Sequence, residues 1–400
     1  MNILIVASYY PMPDRASGDL RFSQLLRILA ARHSVSFCSV GQKWQVEHVG
    51  ASEAQRYRDG LEAIGVQVID GGVARALKMQ RFDAVLFEFY YVAQRFIDDV
   101  RVYQPNVRVI VDSVDVTYHR LFSKAKVTQS RNDLDRAKKV KATELSVYRK
   151  ADVVITVTEE DKRVLLGEDS TIVAETIPNI HTLSGFITAA PERRVDLVFV
   201  GSFIHEPNVD AMLYFCRGIF PKIVKALPDA RLKIIGNAPP AEIRNLASKC
   251  IEVLGYVQET RPFLEASAIS VAPLRFGAGM KGKIGEAMSF GLPVVTTTVG
   301  IEGFGLTPQE NVLVGDTPDE FADAVIRLIT DNELYDRIRM GGYTFIKENY
   351  SEDVVARKIY HFLDSIDHYP CKGISRPVYV KKKVGEFIDT HISWRFKRQQ

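Results

Sequence analysis

The chain has 400 residues, of which 46% are hydrophobic and 25% charged, a composition typical of a globular protein rather than a disordered or fibrous one. This length exceeds what one hydrophobic core usually supports, so we expect two domains of roughly 150 to 200 residues each. The net charge of +3 is too small to indicate nucleic-acid binding, and we expect no nucleic-acid partner.

The cysteines and the first residues of the sequence indicate the compartment. No two of the four cysteines are spaced for a Cys-x-x-Cys metal or redox site, and so few in a long chain do not form a disulfide framework. Residues 1–8 lack the basic region of a signal peptide, and no stretch reaches about 18 consecutive apolar residues. We therefore expect a cytoplasmic protein without a membrane span.

Short β-branched apolar runs alternate with amphipathic helical patterns along the whole chain, as in parallel sheets covered by helices. The strands predicted in the first half are 3–7, 35–40, 66–69, 84–87, 107–111 and 153–157. The alternation restarts in the second half, with predicted strands at 197–200, 232–235, 251–254, 270–273 and 293–297. A helix is predicted at 208–227, and the pattern is helical from 318 to 367.

A polar, proline-containing stretch at 178–194 has no regular period and separates the two halves. We therefore predict a first domain at 1–180, a linker at 181–194, a second domain at 195–366 and a basic tail at 367–400. Each domain is expected to be α/β, Rossmann-like and doubly wound around a parallel sheet.

Two segments are rich in basic residues. Residues 120–150 contain ten basic and three acidic side chains, and residues 371–400 contain eight basic and two acidic ones. The tail also contains Trp394 and Phe396 next to Lys397 and Arg398. Solvated surface is one explanation of these clusters. The other is peripheral contact with an anionic membrane, on the inner face of the plasma membrane.

The segment 270–295 has the pattern of a strand, a glycine-rich loop, a helix and a second strand. Gly277, Gly279 and Gly282 lack Cβ atoms, which lets a backbone approach a ligand closely. The helix predicted to start near Lys281 directs free N–H groups and a positive dipole end toward an anion, and Lys283 adds a second cation. Together these features favour a diphosphate site.

The same glycines fit the spacing of a dinucleotide-binding fingerprint, which is an alternative. That fingerprint requires an acidic residue at the end of the next strand, where this chain has Thr296, Thr297 and Thr298. Glu286 lies one helical turn beyond Lys283, where a carboxylate would hold ribose hydroxyls next to the phosphates. The alternative for Glu286 is an exposed helix residue paired with Lys283.

Short segments spread over the chain resemble the retaining glycosyltransferases of the GT-B fold, the glycosyl transferases group 1 family. These segments are 177–179, 199–201, 207–210, 235–236, 255–257, 286–295 and 300–303. The resemblance implies two Rossmann-like domains of doubly wound parallel sheets that face a cleft, followed by C-terminal helices. It also implies a nucleotide-sugar donor in the second domain and an acceptor in the first.

Mapped onto this sequence, the resemblance places residues 255–257 beside the base, Glu286 on the ribose, and Gly201 with the 277–283 loop around the diphosphate. Gly18 corresponds to a first-domain glycine near the donor in the family. Arg21, three residues later, is expected to reach phosphate or acceptor. The expected donor-binding residues are Gly18, Arg21, Gly201, Ser202, His205, Gly255, Tyr256, Val257, Gly277, Gly279, Met280, Lys281, Lys283 and Glu286.

Two features depart from the family pattern. Many members have a second glutamate eight residues before the ribose glutamate, where this chain has Ala278. Many also have an arginine and a lysine after the Val-Gly turn, where this chain has Ser202, Pro207 and Asn208. We expect the lysines of the glycine loop to replace these cations. The missing glutamate leaves the donor sugar undefined and keeps open a catalytically degenerate protein that binds nucleotide-sugars.

Residues 112–120 follow a predicted strand, at the edge of the sheet where α/β proteins bind ligands. Asp115 and His119 are the catalytic candidates, which would orient or deprotonate the acceptor hydroxyl, and Asp112 and Arg120 are the acceptor-binding candidates. Helix capping is the structural alternative for the two aspartates. The sequence has no evident cluster of metal ligands, so we expect no metal and no cofactor besides the nucleotide-sugar co-substrate.

The sequence therefore predicts a glycosyltransferase that moves a sugar from a nucleoside diphosphate sugar to a glycan or lipid-linked acceptor. Cell-surface polysaccharide or lipopolysaccharide biosynthesis is the expected setting. The resemblance implies a reaction that needs no metal and retains the anomeric configuration. The alternatives are a sugar-nucleotide epimerase of the same fold and a degenerate nucleotide-sugar-binding protein.

Overall fold

The computed structural model describes residues 1–183, 185–186 and 195–391, with the backbone alone for 385–391. Position 184 and positions 187–194 of the expected linker lie outside the described residues, as do Trp394, Phe396, Lys397 and Arg398 of the tail. Within the described residues the chain forms two parallel sheets, each covered by helices.

The first sheet has seven parallel strands in the order β3-β2-β1-β4-β5-β6-β7. Its strands are β1 Asn2–Ala7, β2 Ser34–Ser39, β3 Gln67–Val68, β4 Ala84–Glu88, β5 Arg108–Asp112, β6 Val153–Thr156 and β7 Ala174–Thr176. Its helices are α1 Ser17–Ala30, α2 Gln42–Val49, α3 Ala51–Ala63, α4 Val73–Met79, α5 Tyr90–Tyr103, α6 Thr117–Thr128, α7 Arg131–Tyr148 and α8 Glu159–Glu168. The order reverses between β1 and β4, as in doubly wound nucleotide-binding folds.

The second sheet has six parallel strands in the order β10-β9-β8-β11-β12-β13. Its strands are β8 Asp196–Val200, β9 Arg231–Ile235, β10 Ile251–Gly255, β11 Ile269–Ala272, β12 Val294–Thr296 and β13 Leu313–Val314. Its helices are α9 Glu206–Tyr214, α10 Phe220–Ala226, α11 Ala241–Arg244, α12 Arg261–Glu265, α13 Gly282–Ser289, α14 Thr298–Ile301 and α15 Pro318–Thr330. The helices α16 Asn332–Asn349, α17 Glu352–Asp364 and α18 Arg376–His391 follow.

The apolar runs form strands because successive side chains of a strand point to opposite faces of the sheet, and here both faces are covered. In β1, Ile3 and Ile5 pack into one hydrophobic core and Leu4 and Val6 into the other. The predicted α/β class with doubly wound parallel sheets is confirmed. No helix within the described ranges is long and apolar enough to cross a membrane.

The chain crosses back to the first half near its end. Val355, Ile359 and Phe362 of α17 are buried in the same core as Ile3 and Ile5 of β1. Helix α17 was included in the second domain by the predicted boundary at 366, yet its apolar face packs on the first half. The two halves are therefore joined by a packed helix as well as by the chain between them.

Candidate active site

A cavity of about 480 Å³ lies between the two halves, at the carboxyl ends of their strands. It is lined by residues of the loop after β1 (13–17), the loops after β8 and β9 (200–205 and 235–237), the loop after β10 (256–261) and helix α13. Parallel α/β sheets bind ligands at this edge, and the volume is in the range of small-molecule sites.

Helix α13 directs two charged side chains at this cavity. Lys283 and Glu286 both line it, and they lie one turn apart on the helix. The Nζ of Lys283 donates a hydrogen bond to Asn208 Oδ1 and lies 4.9 Å from the ring centroid of Phe199. The hydroxyl of Thr260 donates a hydrogen bond of 2.6 Å to Glu286 Oε1. A cation and a hydrogen-bonded carboxylate therefore face the same space.

Burial changes the pKa of both groups. It lowers the pKa of Lys283 to about 7, with a further contribution from the nearby charge of Lys281. It raises the pKa of Glu286, against the opposing effects of the Thr260 hydrogen bond and Lys283. Burial at the cavity thus disfavours charge on either side chain, and a ligand that supplies opposite charge or hydrogen bonds would favour the charged forms.

Glycines shape the wall of the cavity at two positions. A Cβ on Gly201 would lie 2.9 Å from Asn208 Nδ2 and 3.1 Å from Lys283 Cε, so glycine lets the lysine lie close to the backbone. Gly255 has φ +71, a left-handed conformation that favours glycine, and it turns the chain so that Tyr256 and Val257 line the cavity.

Two residues that line the cavity have polar atoms without a hydrogen-bond partner in the described part of the protein. The Ser202 Oγ and Asn237 Oδ1 are buried, and neither has a hydrogen-bond partner in the described part of the protein. His205 also lines the cavity, and burial lowers its pKa, so its imidazole is neutral near pH 7. Buried polar atoms usually have partners, so these atoms suit a polar ligand.

The first half closes one end of the cavity through contacts with Tyr256. The Tyr256 hydroxyl donates a hydrogen bond of 2.6 Å to Asp14 Oδ2, and the guanidinium of Arg15 lies 4.4 Å from the centroid of the tyrosine ring. Asp14 also accepts a hydrogen bond of 2.7 Å from the Tyr57 hydroxyl, which fixes it in place. Asp14, Arg15 and Tyr256 line the cavity, and all three come from loops that follow strands.

The structure brings half of the predicted donor-binding residues to the cavity. Those that line it are Gly201, Ser202, His205, Tyr256, Val257, Lys283 and Glu286. The predicted residues outside its lining are Gly18, Arg21, Gly255, Gly277, Gly279, Met280 and Lys281. Of these, Gly255 still shapes the wall through its backbone, and Gly18 packs in α1 with its Cβ position 3.6 Å from Val114.

The glycine-rich loop contacts the first half more than the cavity. The Cβ position of Gly279 is 3.3 Å from the Cβ of Asp115, and the carbonyl of Met280 accepts a hydrogen bond of 3.3 Å from Asn179 Nδ2. Lys281 is buried, with its Nζ 3.7 Å from Glu302. Gly277, Gly279, Met280 and Lys281 lie outside the lining of this cavity, and the contacts of Gly279 and Met280 with the first half hold the loop in place. Their contact with the donor stays a prediction.

The expected roles of Arg21 in donor binding and of Asp112 in acceptor binding are corrected. Arg21 Nη1 lies 2.6 Å from Asp112 Oδ2, and the two side chains are 2% and 0% exposed. Arg21 further donates a hydrogen bond of 2.9 Å to the carbonyl of Ile177. This buried pair ties α1 to the end of β5 and to the end of the first half, so neither side chain faces a ligand.

The remaining first-half candidates lie beside the glycine loop, outside the cavity lining. Arg120 Nε donates a hydrogen bond of 2.6 Å to Asp115 Oδ2, and His119 Nδ1 lies 3.4 Å from Asp161 Oδ1. The hydrogen bond with Asp161 raises the pKa of His119. In the described part of the chain no three His, Cys, Asp or Glu side chains are grouped as metal ligands.

Sequence reasoning missed several residues of the cavity. Asp14, Arg15, Asn237, Thr260 and Arg261 line it, and none was among the candidates. Asp14 and Arg15 follow β1 and Asn237 follows β9, so the rule that ligands bind at the carboxyl ends of parallel strands was the available signal. Thr260 gave no such signal, because only the fold places its hydroxyl on Glu286.

Comparison with known proteins gives the relatives of this chain. Residues 194–331 match the family Glycosyl transferases group 1. An uncharacterized 44.6 kDa protein in the cps region of Klebsiella pneumoniae is 26% identical over 175 residues, which are 41% of this chain and 45% of that protein. The aligned part thus spans less than half of that relative.

Two solved structures share the architecture. Sucrose-phosphate synthase from Thermosynechococcus elongatus superposes with a TM-score of 0.69 at 13% identity, over 92% of this chain and 100% of that chain. Anabaena HepE in complex with UDP and glucose gives 0.66 at 13% identity, over 91% and 100%. The two sheets facing a cleft confirm the GT-B fold. Residues 194–331 therefore match the Glycosyl transferases group 1 family, and the chain around them has the GT-B fold.

Proposed function

We propose that this chain transfers a sugar from a nucleoside diphosphate donor to a hydroxyl of a glycan or lipid-linked acceptor, in the synthesis of a cell-surface polysaccharide or lipopolysaccharide. The family of residues 194–331 and the similarity to a protein of a cps region support the proposal. The observation that carries it is the pair Lys283 and Glu286, one turn apart on α13 and facing a cavity between two Rossmann-like halves.

In this proposal the donor lies along α13. Glu286, held by Thr260, accepts hydrogen bonds from the ribose hydroxyls, and the base lies toward Tyr256 and Val257. The diphosphate lies at Lys283 and the N-terminal end of α13, where the ammonium and the helix dipole both favour an anion. Ser202 Oγ is a further donor to a phosphate oxygen.

The transfer breaks the bond between the anomeric carbon of the sugar and the β-phosphate oxygen, and it forms a bond between that carbon and the acceptor oxygen. The hydroxyl proton of the acceptor passes to an oxygen of the departing diphosphate, so charge and atoms balance. We propose that the new bond forms on the face from which the diphosphate leaves, with retention, and without metal or cofactor. Lys283 and the helix end then stabilise the charge that develops on the leaving group.

The acceptor is proposed to approach from the first half. Asp115 lies against the loop at 277–283 and is held by Arg120, and His119 follows in the first turn of α6. These side chains would orient the acceptor hydroxyl rather than form the donor cavity. An experiment can separate this role from donor binding: Asp115→Asn should reduce the rate of transfer more than it reduces the affinity for UDP or GDP.

The test is incubation of the full chain with a panel of nucleotide-sugars and oligosaccharide or lipid-linked acceptors, with product analysis. A glycosylated acceptor supports transfer, an epimerised donor would mean an epimerase, and binding without turnover would mean a degenerate protein. Glu286→Ala should weaken the binding of the active donor at least about tenfold, since it removes hydrogen bonds to a charged group of about 1.5–3 kcal/mol each. Glu348→Ala, an exposed glutamate of α16, is the control.

A further inference from the structure

The two basic segments of the sequence, separated by more than two hundred positions, meet on helix α5. Lys150, just after α7, has its Nζ 3.0 Å from Asp98. Lys382 of α18 has its Nζ 2.7 Å from the neighbouring residue, Asp99. Both aspartates belong to α5, and α5 packs against α7 and α18. The fold therefore joins the two segments into one surface, which we call the basic face (α5, residues 126–150 and residues 376–384).

The basic face retains positive charge after its ion pairs are formed. Several of its basic side chains are exposed and have no ion pair within the described residues: Lys126, Arg131, Arg136, Lys138, Lys139, Arg376 and Lys381. The acidic side chains on the same stretch of α7 are Asp133, which pairs with Lys124, and the exposed Asp135. The excess of cations makes an anionic partner favourable.

Large apolar side chains are exposed among these cations. In α18, Tyr379, Val380 and Val384 are 41%, 50% and 52% exposed. Val127 and Leu134, on the two sides of the α6–α7 turn, are exposed as well. Exposed apolar side chains between basic ones are typical of helices that lie in the headgroup region of a bilayer. A duplex nucleic acid bound through its phosphates would contact the cations and would leave the two valines of α18 in water.

We propose that the basic face docks on an anionic lipid bilayer. The lysines and arginines attract the charged headgroups, and the exposed side chains of α18 and the α6–α7 turn enter the interface. The docking surface belongs to the first half and includes the described part of the tail, rather than consisting of the tail alone. The inference goes beyond the sugar transfer and does not depend on the identity of the donor.

The position of the basic face bears on the acceptor. Lys124 of α6 reaches across the cleft to Glu206, with Nζ 2.7 Å from Oε2, so the helix that begins the basic face also borders the second half. Docking through this face would bring the cleft close to the membrane surface. If the proposed transfer uses a lipid-linked acceptor, that acceptor would reach Asp115 and Arg120 without leaving the bilayer.

The test is co-sedimentation of the full chain with vesicles of phosphatidylcholine alone and of phosphatidylcholine mixed with phosphatidylglycerol. We expect binding to the anionic vesicles only, and weaker binding as salt is added. The double variant Lys138→Gln/Lys139→Gln should bind about 30-fold more weakly, since each basic residue near a charged leaflet contributes about 1 kcal/mol and 1.4 kcal/mol is a factor of ten. Lys225→Gln/Lys249→Gln, with the same change of charge in the second half, should bind as the parent does.

The apolar part is tested separately. Val380→Ser/Val384→Ser should lower vesicle binding in high salt, where the charges are screened, while Met340→Ser in α16 should not. Equal losses for a variant and its control, or no binding to anionic vesicles, would overturn the proposal. Tight binding to duplex DNA that is unchanged in Val380→Ser/Val384→Ser would mean that the partner of the basic face is a nucleic acid and not a bilayer. Circular dichroism checks that each variant is folded, and donor binding by calorimetry reports the transfer site independently.

Discussion

Binding of a nucleoside diphosphate should weaken as the pH rises above 7, because Lys283 loses its proton in that range. Burial and the charge of Lys281 lower the pKa of Lys283 to about 7. Its hydrogen bond goes to the neutral Asn208, and Glu286 is the acidic group that opposes the shift. A diphosphate placed against the ammonium would favour the charged form, so the ligand should take up a proton when it binds.

The sign follows from the two pKa values of Lys283. In the free protein the lysine is mostly charged below pH 7 and mostly neutral above it, whereas we expect a higher pKa in the complex. Between these values the affinity falls by up to about tenfold for each pH unit, since one pKa unit corresponds to about 1.4 kcal/mol. His205 is already neutral in this range because burial lowers its pKa, and ionisation of Glu286 would act in the opposite direction.

Calorimetric titration with UDP and with GDP measures the effect in buffers of different ionisation enthalpy. The range should start near pH 7, since a terminal phosphate titrates near pH 6. We expect the uptake of protons to approach one for each ligand bound, and Lys283→Arg to flatten the dependence because an arginine stays charged. An affinity that does not change above pH 7, or a slope that persists in Lys283→Arg, would show that this lysine does not hold the diphosphate.

Three further outcomes are expected. Gly285→Ala should destabilise the fold by about 1–3 kcal/mol in urea unfolding, because the new Cβ would overlap the His181 imidazole, whereas Gly167→Ala has open space and should not. Burial lowers the pKa of His181 from 6.5 to about 4, so the free energy of unfolding should fall as the pH drops from 6.5 toward 4. A free energy of unfolding that stays constant over this range would refute the burial of His181. Tyr256→Phe removes the hydrogen bond to Asp14 and should speed hydrogen exchange at 256–261; unchanged exchange would mean that this contact does not hold the loop.

The strands were largely predictable because each is a short apolar run whose side chains are buried on both faces. The exceptions are β7 and β13, of three and two residues, which form the edges of their sheets. A strand this short carries little signal in its own sequence and depends on the neighbour that pairs with it. The edge strand β3 is equally short, and it was predicted because it lies within the apolar run at 66–69. The helix predicted at 208–227 is interrupted by a π-helical turn at Phe215–Ile219, just before Pro221, which has no N–H to continue the ladder.

The site was predictable where its chemistry is local. Lys283 and Glu286 sit on one helix, and helical spacing alone places them side by side. The direction of Lys281, two residues earlier, was not predictable, because its position against Glu302 depends on the packing of another segment. Arg21 and Asp112 had the residue types of a ligand site, but only the fold shows that they pair with each other in the interior.

The backbone contacts of His181 with residues 350–351, where the chain passes between the halves, lie next to the helix proposed to bind the donor. The N–H of His181 donates a hydrogen bond of 2.9 Å to Tyr350, and His181 pairs with Ser351 in a parallel bridge. These residues flank the two passages of the chain between the halves, so a rotation of one half against the other would concentrate its backbone changes there. Gly285 of α13 abuts the His181 ring, within one turn of Glu286. A change of the angle between the halves would therefore shift this helix. Opening of the cavity and binding of the proposed donor would then be coupled.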